Sequence, residues 1–317
     1  MTGAGRVLRA LLVALLAGSP MGRAMAQPPG SSTRPAAGAK QPVFRADGMV
    51  SLPGDRLLVW AADGRLQVGA PERGWEPLVQ LPMTYVTHVV PEGEGALVAG
   101  SNFPKGDSEY AVAVAVDARG AVRTQWRGEA GLFSSVTSSQ GRRWAIALDT
   151  LVELLPEGRI QPVDKVPALS RLVLGSDGQR VLCKPANLTL AQRAPAECRS
   201  SPPVAWSVSG DWKHSPLSCG EWLVMKEGAE LRVVALTDGR QVARRASQAE
   251  ALACGRPGEL LSADKEIQTL ALPSLEVLGR ATCGGRSVVA LAATPEGGAC
   301  LEARGHVRRF KNSGMHP

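Results

Sequence analysis

Ser51-Leu52-Pro53-Gly54-Asp55 leads into Arg56-Leu57-Leu58-Val59-Trp60, and Asp63-Gly64 then breaks the chain before Leu66-Gln67-Val68-Gly69. This is an apolar run, a tight turn, and a second apolar run closed by one of the strongest short hairpin signals. The phrase returns about every 40 residues. It recurs as Val90-Pro91-Glu92-Gly93-Glu94-Gly95 before Ala96-Leu97-Val98-Ala99, as Gly175-Ser176-Asp177-Gly178 before Gln179-Arg180-Val181-Leu182, and as Thr294-Pro295-Glu296-Gly297-Gly298 before Ala299-Cys300-Leu301. Short strands at that period predict an all-β fold, a β-propeller of four-stranded blades. Seven blades fill the length, with six or eight as alternatives.

The predicted blades begin at Met49, Tyr85, Phe133, Arg171, Pro216, Glu250 and Ser287. Only three strands remain for the seventh, and Pro42 to Ala46 could supply the fourth, closing the ring and hiding both exposed edges. In the fourth blade the reading takes Leu188 to Gln192 as the third strand and Val204 to Val208 as the fourth.

Ahead of the first blade, Arg6 and Arg9, the apolar Leu11 to Leu16, and Ala24-Met25-Ala26 compose a cleavable export signal over 1–26. Its apolar stretch is shorter than the roughly 20 residues that span a bilayer, so the mature chain is expected to have no transmembrane span. Residues 27–40, rich in Pro, Gly and Ser, read as a disordered linker, 41–312 as the propeller, and 313–317 as a flexible tail. The expected location is periplasmic or secreted.

The net charge of +7 is partly carried by the two ends of the chain. No basic run or aromatic-basic stripe accompanies it, which excludes nucleic acid as the expected partner. All six cysteines fall beyond residue 182, and an exported chain would use them in disulfides. Cys183 with Cys198 would staple a Pro-rich excursion. Cys219 and Cys254 hold matching positions in adjacent blades, and a bridge between them would leave Cys283 with Cys300, although the sequence does not choose among the fifteen possible pairings. No C-x-x-C pair and no His near the thiols suggests a metal, and no cofactor is expected.

Ala115-Val116-Asp117-Ala118-Arg119-Gly120-Ala121-Val122-Arg123-Thr124-Gln125-Trp126 resembles the repeat phrase of pyrroloquinoline-quinone-like propellers, and Ala235-Leu236-Thr237-Asp238-Gly239-Arg240-Gln241-Val242 is a looser copy. Such units also resemble WD-type repeats. The resemblance implies that Asp and Gly shape a turn and that a Trp docks between blades. It does not imply a quinone, because the innermost strands are mostly apolar or small. Metal-dependent lactonase propellers, as a family, use Asn or Asp on innermost strands, whereas Asn102, Asn187 and Asn312 lie elsewhere. Asn187-Leu188-Thr189 matches a glycosylation acceptor by chance, and no G-x-S-x-G elbow exists.

Function is therefore expected to be non-enzymatic: a scaffold that binds a protein, peptide or glycan in the cell envelope. The break from Asn102 to Glu109 in the second blade is the candidate contact loop, with Asn102, Phe103, Lys105 and Asp107 in it. Trp75 and Trp212 are further candidates, because Trp offers a large contact area with one polar handle. The alternative is a hydrolase or lyase at the channel mouth using His88, on the innermost strand of the second blade, and Glu92.

Overall fold

A computed structural model describes residues 40–314 apart from 105–107, 130, 169, 175–178, 185–186, 190–191, 195, 202–204, 211–215, 285–286 and 312. Residues 1–26, read as an export signal, and all but the last residue of the expected linker lie outside the described residues.

The propeller forms with seven blades. Their innermost strands are Gly48–Leu52, Tyr85–Glu92, Phe133–Ser139, Arg171–Leu174, Leu217–Cys219, Ala251–Cys254 and Val288–Thr294, and each packs on the next, the last returning to the first. Within a blade, successive antiparallel strands step outward, as Tyr85–Glu92, Gly95–Asn102, Tyr110–Val116 and Val122–Arg127 do in blade two. Turns after the first and third strands therefore share one end of the ring. Turns after the second strand share the opposite end with the linkers between blades.

Each blade is apolar on both faces because each is sandwiched by two others. One cluster of buried side chains fills each of the seven seams. The strand Tyr-Ala-Val-Ala-Val-Ala-Val of Tyr110–Val116 shows how alternation serves two seams at once. Val112, Val114 and Val116 face blade one, while Ala111, Ala113 and Ala115 face blade three and leave room for Trp126 and Phe133. Trp126 is fully buried there, and its Nε1–H donates to the Leu155 carbonyl of blade three at 2.6 Å.

Trp206 repeats the device: its Nε1–H donates to the Leu236 carbonyl of blade five at 2.9 Å. A Cβ at Gly239 would stand 2.7 Å from the Trp206 ring, so the turn glycine of one blade makes room for the tryptophan of the blade before it. The looser copy of the repeat phrase thus receives its Trp from outside itself.

Blade four departs from the predicted strands. Asn187–Thr189 pairs with Gln192–Ala194 in a small hairpin of its own, and the third strand is Ala196–Ser200, followed by Ser207–Gly210. Register explains the shift: Cys183 stands opposite Cys198, and the strands of 187–189 and 192–194 pair with each other apart from that sheet. The three predicted disulfides are all present: Cys183–Cys198, Cys219–Cys254 and Cys283–Cys300.

Closure uses side chains where a strand was expected. Blade seven has three strands among the described residues, and 42–46 is not a strand. Instead the Gln41 amide mimics a ladder rung, accepting from Val307 N–H at 2.8 Å and donating to the Val307 carbonyl at 3.1 Å. Phe44 and Ala46 then wedge among Leu57, Val59, Ala299 and Leu301 between blades one and seven. Arg309 of blade seven reaches both carboxylate oxygens of Asp55 in blade one at 2.6 Å. The chain end, read as free from 313, instead begins by pairing Ser313 and Gly314 with Arg280 and Gly279 on the rim of blade six.

Candidate functional site

Three regions hold the sequence candidates. The first is the break in blade two. Asn102 closes its base by donating to the Tyr110 hydroxyl at 2.8 Å, and Phe103 N–H is anchored on Thr84 Oγ1 at 2.9 Å. Phe103 itself is 39% exposed. On the neighbouring blade, at the same end of the ring, Leu148 is 36% exposed and packs over Gly131, whose N–H bonds to the Glu109 carbonyl at the loop's return. Two apolar side chains thus flank one loop. Lys105 and Asp107, predicted within it, lie outside the described residues, as does Trp212.

Trp75 occupies the second region. Its Nε1–H donates to the Lys40 carbonyl at 3.1 Å, and its ring packs with the closure cluster. It lines an open cleft of about 400 Å³ with Lys40, Arg56, Arg73 and Glu76, at the end of the ring opposite Phe103. A larger cleft of about 560 Å³ lies beside it on blade two, with Glu92, Glu94, Asp117, Arg119, Arg123 and Arg143 in its walls. These charges are largely satisfied by one another. Arg143 Nε meets Glu92 Oε1 at 2.7 Å. Asp117 pairs with Arg123 and accepts from the N–H groups of Arg119 and Ala121 at 2.8 and 3.0 Å. Burial works to raise the Asp117 pKa, yet those bonds hold it below the ordinary carboxylate value.

The third region is the channel. Small hydroxyls stitch its strands together: Thr87 Oγ1 donates to the Phe133 carbonyl at 2.6 Å, Ser134 Oγ to that of Ser170 at 3.3 Å, and Ser218 Oγ to that of Leu174 at 2.9 Å. Ser51 does the same to Ala293 across the closing seam. His88 sits on the innermost strand of blade two, as predicted. Its Nδ1 accepts from Val136 N–H at 3.1 Å and lies 3.5 Å from Ser135 Oγ. Burial, then the charge of Arg171, push its pKa well below the usual imidazole value. His88 is therefore a neutral imidazole carrying its proton on Nε2.

His88 and Glu92 are not brought together: Glu92 is taken by Arg143 at the end of the strand, and no carboxylate is among the partners of His88 in the described residues. Arg171 is the residue that sequence reasoning passed over. Its signal was a cationic side chain opening the otherwise apolar run Arg171-Leu172-Val173-Leu174.

Comparison with solved structures finds the same ring. The chain is similar to the WD40 β-propeller domain of Doa1 (12% identity, TM-score 0.62, covering 86% of this chain and 95% of that one). The likeness is one of fold. It extends to the β-propeller domain of Myceliophteria thermophila Cps50 (Swd1), at 10% identity and TM-score 0.63 over 87% of this chain and 99% of that one. A chain of the Mitotic Checkpoint Complex is similar at 11% identity and TM-score 0.61, over 93% and 99%. No protein-family model and no curated protein matches the sequence. The WD-type half of the sequence resemblance is thus upheld at the level of architecture.

Proposed function

We propose that this chain is an exported, non-enzymatic propeller that docks a protein, peptide or glycan of the cell envelope on the end of the ring bearing Phe103. The carrying observation is the exposed Phe103 and Leu148 on adjacent blades around one anchored loop. An anchored backbone presents these apolar side chains at low entropic cost on binding. Asn102 belongs to the anchor, and Lys105 and Asp107 would add polar contacts to the rim. Trp212 is proposed as a contact of its own. Trp75, which holds the N-terminal segment, is assigned to closure instead.

Three disulfides support an oxidising compartment, periplasmic or extracellular. Among the described residues no helix is long and apolar enough to cross a membrane. Among structurally similar chains, one is a component of the Mitotic Checkpoint Complex, a precedent for this architecture within an assembly.

The test pairs wild type with Phe103→Asp and Leu148→Asp in capture from the native envelope fraction, alongside cell fractionation. A partner retained by wild type and lost by both variants supports this face. Equal capture by all three overturns it, and recovery of the chain in the cytosol with intact signal overturns export.

A further inference from the structure

We propose that the central channel binds a small oxyanion, a carboxylate or phosphate group, between the guanidinium of Arg171 and the Nε2–H of His88. Arg171 opens the innermost strand of blade four, and among the described residues its side chain has neither a hydrogen bond nor an ion pair. Arg171 is only partly buried, and a guanidinium keeps its charge and offers five donors, so an anion entering the channel can reach it. The surrounding strands supply no counter-charge. Of the side chains on the seven innermost strands, Glu92 is the one carboxylate, and Arg143 holds it.

His88 adds a second, directed donor. Both bonds at Nδ1 face blade three, so the ring is fixed with Nε2–H free of any partner among the described residues. Ser135 Oγ, beside Nδ1, also accepts from Leu172 N–H at 3.2 Å, and Leu172 adjoins Arg171. That relay links the backbone beside Arg171 to the His88 ring, and the Arg171 charge acts on that ring. Burial also acts to lower the Arg171 pKa. A cation would be repelled here, and a neutral apolar guest would leave both donors unmatched. An oxyanion satisfies charge and donors together.

The experiment is calorimetric titration of the mature protein with citrate and with inorganic phosphate, at constant ionic strength with chloride as reference. We expect one saturable site per chain for at least one oxyanion, the two arms telling carboxylate from phosphate. Arg171→Gln should weaken it by about ten-fold or more, since a charge-assisted pair is lost. In the absence of ligand, Arg171→Gln should keep or raise Tm, which a purely structural arginine would not do. No saturation with either oxyanion, unchanged affinity in Arg171→Gln, or equal competition by chloride overturns the proposal. Should Arg171→Gln fail to fold, His88→Ala decides: weakened binding supports the site, and unchanged binding overturns it. The channel lies apart from the Phe103 face, so either reading can fail without the other.

Discussion

Blades one to three and blades four to seven are held together differently. The innermost strands of the first group run Gly48–Leu52, Tyr85–Glu92 and Phe133–Ser139, and their seams are filled by Leu, Val, Trp and Phe without a disulfide. In the second group the innermost strands shrink to Arg171–Leu174, Leu217–Cys219 and Ala251–Cys254 before lengthening again at Val288–Thr294. All three disulfides lie there, one of them joining the innermost strands of blades five and six. Short strands bury less apolar area and share fewer ladder bonds, and a covalent link offsets this by restricting the unfolded chain. Cys219–Cys254 thus crosses a seam between blades, whereas Cys183–Cys198 reinforces the sheet of blade four from within.

Reducing the protein should break the comparison most visibly. Each lost disulfide costs about 2–5 kcal/mol. Hydrogen exchange after reduction should therefore show blades four to seven losing protection while blades one to three keep theirs; uniform loss would contradict the division. Trp126→Ala attacks the other half, with an expected cost of about 3–5 kcal/mol in chemical denaturation. An oxidised Trp126→Ala protein should open first between blades two and three.

Acid provides a milder probe of the same half. Because His88 stays neutral in the folded protein while an unfolded histidine gains a proton below about pH 6.5, the stability it contributes is present above that pH and is lost as pH falls. The loss should reach at most about 1.4 kcal/mol per pH unit, and His88→Gln should flatten it in urea titrations between pH 7 and 5. The smallest effect belongs to the join between the two halves: Gln41→Ala should cost about 1 kcal/mol through its two bonds to Val307, read as a small drop in Tm.

Much of the fold was legible because turns and alternation are local. Asp63-Gly64 and Asp117 to Gly120 mark their hairpins by residue chemistry alone, and the matching places of Cys219 and Cys254 in adjacent blades offered their bond as one of the fifteen possible pairings. Blade four was misread because nothing local distinguishes Leu188 and Thr189, which pair with Arg193 and Gln192 in a hairpin of their own, from a strand of the sheet. The site was less legible. His88 could be placed on its strand, but its neutrality needed Val136 and Ser135 of the next blade.

By itself the sequence determined the blade period and the turns, since each depends on residues close in the chain or on repeated spacing, while the choice among the fifteen cysteine pairings fell to the structure. Tertiary structure alone decided how Gln41 meets Val307, why Gly239 must make room for Trp206, and that Arg171 opens an innermost strand with no ion pair among the described residues. Those relations join residues far apart in sequence, or concern what is missing around a side chain, and neither leaves a periodic trace.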